Sequence, residues 1–169
     1  MLGFKIIIIA TMLMIFPLES IKAQRFLFGG IGGAYELEEG LTGFNARVFY
    51  EPNEEFCFGP EISFFPLQEI ETDTKVSIID LNVNAHYIFE IAPNLAVYPL
   101  SGLNFTKEKV RVISEEENDN AFGINYGGGL HFEFDQWFAF AEFKGVISEL
   151  SAEFVTIGVI FNISSEQED

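Results

Sequence analysis

His86, His131, Cys57 and a run of glycines are the residues whose chemistry must be tested first. With Asp80 or Glu133 near them in the pattern, the two histidines have the right atoms for a metal. Neither sits in a ligand-spacing motif, and each falls on the polar side of an alternating stretch, where a neutral hydrogen-bonded imidazole is the ordinary occupant. Ser63, His86 and Asp80 contain the types of a nucleophilic triad, but any polar interior supplies such combinations. Gly29-Gly30-Ile31-Gly32-Gly33 looks like a phosphate loop, yet it runs into Ala34-Tyr35 with no following helix or lysine. Close packing between strands accounts for it better. The single Cys57 cannot form an intramolecular disulfide and is expected to pack as a small hydrophobe near a turn. No catalytic, cofactor-binding or metal residue is assigned, and no enzymatic activity is expected.

The elements that hold these residues are constrained by composition. The chain of 169 residues carries 26 acidic against 9 basic side chains, a net charge of −17 that disfavours nucleic acid as a partner. Hydrophobic residues make up 49% of it, too many for a disordered acidic chain. Twenty Phe and fifteen Gly suit a β-structure with a large apolar outer surface and closely packed strands. At the start, Lys5 precedes an apolar stretch from Ile6 to Leu18, then Ser20 to Gln24. That is the pattern of a cleaved export signal, with cleavage expected after Ala23 and no cysteine at the junction for a lipid anchor.

Beyond it, alternation recurs in eight stretches, roughly 25–35, 42–51, 56–65, 75–89, 95–112, 121–134, 137–147 and 152–163. The fourth is clearest: Ile79, Leu81, Val83, Ala85, Tyr87 and Phe89 share one face, and Asp80, Asn82, Asn84 and His86 the other. The first, fifth and seventh are blurred by glycine and small residues, and their register stays open.

The connections separate a membrane barrel from a soluble one. Links after the second, fourth and sixth stretches are tight, around Pro52 to Glu55, Glu90 to Asn94 and Asp135-Gln136. Those after the first, third and fifth read as longer acidic loops, with Glu36, Glu38 and Glu39, then Glu69, Glu71 and Asp73, then Glu115, Glu116, Glu117 and Asp119. The link at 148–151 is a mild exception. Short turns on one rim and longer loops on the other belong to an outer-membrane barrel. Tyr50, Phe56, Tyr87, Phe89, Phe134 and Trp137 flank the short turns, where an aromatic girdle is expected. The alternative is a soluble periplasmic lipocalin-like carrier, with its apolar face turned inward around a pocket.

The export signal, the eight stretches, Tyr126-Gly127-Gly128-Gly129 and Phe140-Ala141-Glu142-Phe143 together resemble the small outer-membrane β-barrel families. These are the transmembrane domain of outer-membrane protein A and its stand-alone relatives, especially from Bacteroidetes-type bacteria. The resemblance spans the mature chain and implies fold and location rather than activity. Enzymes on similar barrels use a His-x-Ser pair on the lipid face, and none occurs here. One departure is that Phe161 is followed by Asn162-Ile163 and a polar tail, where such barrels often end on an aromatic.

The expected architecture is all-β, an eight-stranded antiparallel up-and-down transmembrane barrel over 24–163, after a signal peptide at 1–23 and before an acidic tail at 164–169. An interior of that size is filled by side chains. The expected polar network comprises Asn45, Arg47, Glu61, Asp80, Asn82, Asn84, His86, Asn125, His131, Glu133, Glu142 and Lys144. The expected role is structural or surface-interacting, as a monomer in the bacterial outer membrane. Its partners would be membrane lipid and lipopolysaccharide, with divalent cations at the acidic loops.

Overall fold

Strands with one apolar and one polar face can cross hydrocarbon only if every backbone edge is paired. The computed structural model describes residues 26–164 except 114 and 136; the expected leader and the tail beyond 164 lie outside the described residues. One antiparallel sheet contains β1 (Phe26–Glu36), β2 (Thr42–Asn53), β3 (Phe56–Glu71), β4 (Thr74–Tyr87), β5 (Phe89–Ala92), β6 (Leu95–Val112), β7 (Glu115–Phe134), β8 (Trp137–Ile147) and β9 (Ala152–Asn162). Strands adjacent in sequence pair, β1 pairs with β9, and β4 with β6, so the sheet closes. The stretch expected to run unbroken through 75–89 is split at Ile88. The Ile88 N–H donates to the Glu55 carbonyl in the β2–β3 turn at 2.7 Å, and the chain resumes as β5, still paired with β6. β4 and β5 are therefore one stave of an eight-stave barrel.

The polar face of β4 is inside: Asp80, Asn82, Asn84 and His86 are buried, while Leu81 and Val83 are exposed. The same inversion runs around the barrel, with Phe44, Leu103, Phe122 and Ile157 all more than 60% exposed. A soluble carrier needs the opposite arrangement, so the lipocalin-like alternative falls. The structure also settles the three open registers. Ala34 and Glu36 point inward on β1, Tyr98, Leu100, Asn104 and Thr106 on β6, and Phe140, Glu142, Lys144 and Val146 on β8.

Along the short-turn rim the aromatics touch one another: Tyr50 on Phe58, Tyr87 on Phe89, and Phe134 stacked on Trp137 at 4.1 Å. The opposite rim differs from expectation. The acidic segments after the third and fifth stretches are mostly strand, not loop: β3 continues to Glu71 and β7 begins at Glu115, leaving tips of only two residues. Ladder pairing with Lys107 to Val112 of β6 overrides the poor strand propensity of Glu, Asn and Asp in β7.

Candidate functional site in the barrel interior and its projecting sheet

The interior is layered. Nearest the long rim lies an apolar layer of Leu41, Phe65, Val76, Ile78, Val146 and Phe154, with Phe65 stacked on Phe154 at 5.4 Å. Beneath it is the charged layer. Arg47 on β2 donates from both terminal nitrogens to Glu142 on β8, at 2.9 and 3.1 Å, and from Nε to the Asn45 side chain at 2.9 Å. Its guanidinium also lies 4.1 Å from the centre of the Phe140 ring. Glu61 Oε2 is 3.1 Å from Arg47 Nη2 but accepts no hydrogen bond, because the guanidinium fork is aligned on Glu142; the attraction there is coulombic. Lys144 joins Glu61 at 2.7 Å to Asp80 at 2.9 Å.

Asp80 is the hub of an amide layer. It accepts from Lys144, Asn82, Asn104 and Thr106, and Asn125 donates onward to Asn82 and Asn84 at 2.8 and 2.7 Å. Buried charges persist only when paired and hydrogen-bonded in this manner. Nearest the short-turn rim, the His86 ring sits between Phe49 at 4.6 Å and Tyr98 at 4.7 Å, and the Tyr98 hydroxyl donates to Glu142 at 3.0 Å. The cavity they line together with Cys57 is about 50 Å³, water-sized and too small for a lipid.

Of the twelve residues expected in the interior, ten are buried in these layers: Asn45, Arg47, Glu61, Asp80, Asn82, Asn84, His86, Asn125, Glu142 and Lys144. Two do not join them. His131 is half-buried against Tyr98 and Phe138, and Glu133 is exposed, because β7 carries both to the short-turn rim. Ser63, Tyr98, Asn104, Thr106 and Thr156 belong to the interior and escaped the sequence reading as network members. The alternation Tyr98, Leu100, Gly102, Asn104, Thr106 was the available signal on β6. Gly102 shares that inward face, where a Cβ would lie 2.3 Å from Asn84 Oδ1; its absence lets the amide layer close. Among the described residues no three His, Cys, Asp or Glu side chains gather closely enough to hold a metal.

Beyond the barrel stands a second feature. β7 pairs with β8 only from Ile124 to Phe134, but with β6 all the way to Glu115. β3, β4, β6 and β7 therefore project together as a four-stranded sheet. On its outward face lie Lys75, Lys107, Lys109 and Arg111, all the described cations other than the interior pair. Lys109 and Arg111 both reach Glu116, at 2.7 and 3.0 Å, and hold its carboxyl down to about 2. On the inward face Glu108 pairs across to Asp119, and partial burial together with Asp119, Glu39 and Glu36 raises its pKa.

A closed barrel that is apolar outside and charged inside is a membrane solution, and comparison agrees. The family of the outer membrane protein beta-barrel domain matches residues 9–161. The chain belongs to this family. Its fold is that of solved outer-membrane barrels. The N-terminal barrel domain of OprF from Pseudomonas aeruginosa superposes with a TM-score of 0.69 at 18% identity, over 82% of this chain and 97% of that one. Ail, the attachment invasion locus protein of Yersinia pestis, gives 0.60 at 18% identity, with the same coverage. The Neisserial surface protein NspA gives 0.62 at 12%, again over 82% and 97%. No curated protein matches the chain. As a member of this family, the protein resides in the bacterial outer membrane.

Proposed function

We propose that this barrel is a non-enzymatic, monomeric protein whose interior is plugged by side chains and whose work is done on its outer surface. The observation that supports this reading is the stack of buried layers, from Phe65 and Phe154 through Arg47, Glu142, Lys144 and Asp80 to His86 and Tyr98, in a barrel whose strand count leaves an interior of side-chain width. On this reading the projecting sheet and the rims are the parts that meet other molecules. Conductance across planar bilayers tests it: the purified barrel should give no solute-sized conductance steps, and stable large steps would overturn the plug. Residues 1–23 are read as the removed export signal and 164–169 as a polar tail, which the mass of the mature protein checks.

The lipid partner favoured is lipopolysaccharide, met by the patch of Lys75, Lys107, Lys109 and Arg111. It lies directly beyond Ile79 and Phe105 on the outward face, at the level where anionic headgroups follow the apolar band. Ail has been solved in complex with the heparin analogue sucrose octasulfate; here, among the described residues, the outward-facing Lys and Arg side chains are those of this patch. The acidic inward face, with Glu108 opposite Asp119, favours loosely held divalent cations as bridges between the rim and that leaflet. Lys107→Gln with Lys109→Gln should weaken co-flotation with lipopolysaccharide-containing vesicles but not with zwitterionic ones.

A further inference from the structure

We propose that the free edge of β7, Glu115–Phe122, is a strand-addition site for a basic, extended segment of a partner protein. The proposal rests on the surface-interaction reading and names the partner's chemistry. β6 occupies one side of this segment in an uninterrupted register from Val112↔Glu115 to Phe105↔Phe122. On its other side β8 first pairs at Ile124↔Ile147, so eight consecutive residues are laddered on one side only among the described residues. An edge of that length is about 27 Å of template for main-chain hydrogen bonds.

The other edge of the same sheet is blunted, and the contrast is informative. β3 carries Pro66 on its edge and shifts register between Phe65 and Gln68 and again between Glu69 and Glu71. Gln68 folds back on Thr42, accepting from its N–H at 3.1 Å and donating to its carbonyl at 2.7 Å, so a side chain replaces the missing neighbour. Proline, bulges and covering contacts are the usual protections of an edge strand. Glu115–Phe122 has no proline, glycine or register shift.

What protects it instead is charge, and charge selects the occupant. Glu115, Glu117 and Asp119 have no ion pair among the described residues, while Glu116 is taken by Lys109 and Arg111. A second copy pairing edge to edge would set acidic residues against acidic residues, which is unfavourable across a ladder. A strand with alternating Lys or Arg would relieve them. The partner is therefore a protein with a basic extended segment, rather than another barrel or a polyanion.

The test uses the full barrel in lipid nanodiscs and an eight-residue peptide alternating Lys and Val, against the same peptide with alternate amides N-methylated and a Glu-Val counterpart. The unmodified basic peptide should bind, the N-methylated one at least tenfold more weakly, and the acidic one not at all. Glu115→Gln with Glu117→Gln and Asp119→Asn, a set that leaves the ladder intact, should weaken binding of the basic peptide at least tenfold. Equal binding of the N-methylated peptide, or none by the basic one, overturns strand addition. In a Cys57→Ser background, Asn118→Cys should label on intact cells with an impermeant maleimide. Labelling without peptide binding defeats only this proposal; absence of labelling defeats the surface reading as well. A disulfide-linked dimer through position 118 would assign the edge to a second copy and overturn the proposal.

Discussion

Arg47 and Glu142 stand 95 residues apart in the chain and meet inside the barrel as a two-pronged ion pair at 2.9 and 3.1 Å, both side chains essentially shielded from solvent. The pair joins staves on different sides of the interior, β2 and β8, and each partner has a further neighbour: Glu61 for the cation, Tyr98 for the carboxylate. Desolvation of such a pair offsets much of its attraction, so its net contribution to stability is small even though breaking it is costly.

Arg47→Ala should accordingly destabilise the folded barrel by about 3–5 kcal/mol, because Glu142 and Glu61 would be left buried without their cation. The triple replacement Arg47→Met, Glu142→Leu and Glu61→Leu should recover most of that loss. Equilibrium unfolding by guanidinium in lipid vesicles, read by the fluorescence of Trp137, measures both. A triple variant no more stable than the single one would show that the pair itself, and not the orphaned charge, dominates.

Much of this interior was legible from residue order. The alternation of Asp80, Asn82, Asn84 and His86 against Ile79, Leu81 and Val83 determines which side is polar, and a closed sheet in lipid then puts that side within. Asn104 and Thr106 were harder, since Gly102 and Pro99 blur the period on β6 and Leu100 puts an apolar residue on their own inward face. The interruption at Ile88 depends on a hydrogen bond to Glu55 from another hairpin, which no local pattern announces. The strand extensions of β3 and β7 were hidden for a related reason. Glu115 to Asn120 reads as a solvated loop by composition, and only its partner strand, with Lys109 and Arg111 opposing it, draws it into a ladder. Glu133 differs in the other direction: its parity is inward, but it lies one residue from the end of β7 at the rim, where inward no longer means enclosed.

Gly102 is the place where the backbone makes room for the amide layer. A Cβ there would lie 2.3 Å from both Asn84 Oδ1 and the Val83 carbonyl oxygen, and the latter cannot rotate away. Gly102→Ala should cost about 1–3 kcal/mol, as overpacking at a close-packed site does. Gly33→Ala is the control, since a Cβ at that position meets nothing within 4 Å. Comparing their guanidinium midpoints separates steric exclusion from a general effect of replacing glycine in a strand.

β6 runs from lipid into water along its length. Leu103 on β6 is 69% exposed yet paired between Val83 and Ile124, in the middle of the apolar band. Val112, on the same strand but with the parity of Glu108, is exposed at the tip of the projecting sheet, beyond the enclosed interior. Leu103→Arg should destabilise the barrel by about 2–4 kcal/mol, the cost of a cation near the bilayer midplane. Val112→Arg should stay within about 0.5 kcal/mol of the parent. Vesicle-based unfolding of the two variants places the band edge between them, and equal losses would mean that β6 crosses the bilayer at another depth.

Glu116 provides the pH-dependent test of the projecting sheet. Hydrogen bonds from Lys109 and Arg111 lower its pKa from 4.5 to about 2. A carboxyl held low in the folded state binds its proton more readily once the sheet opens. Its contribution to the order of the hairpin is therefore complete above pH 4.5, fades as the pH falls toward 2, and is gone below that. The site is solvent-exposed, so 1 M salt should return the titration toward the ordinary value by screening. Carbon-detected NMR of the Glu116 carboxyl in micelles should show a midpoint near 2 in the parent. Lys109→Gln and Arg111→Gln should each raise it, and the double variant should raise it furthest. A parent midpoint at 4.5 would mean that the two cations do not hold Glu116 in solution, and that Glu116 joins Glu115, Glu117 and Asp119 as an unpaired charge on the edge of β7.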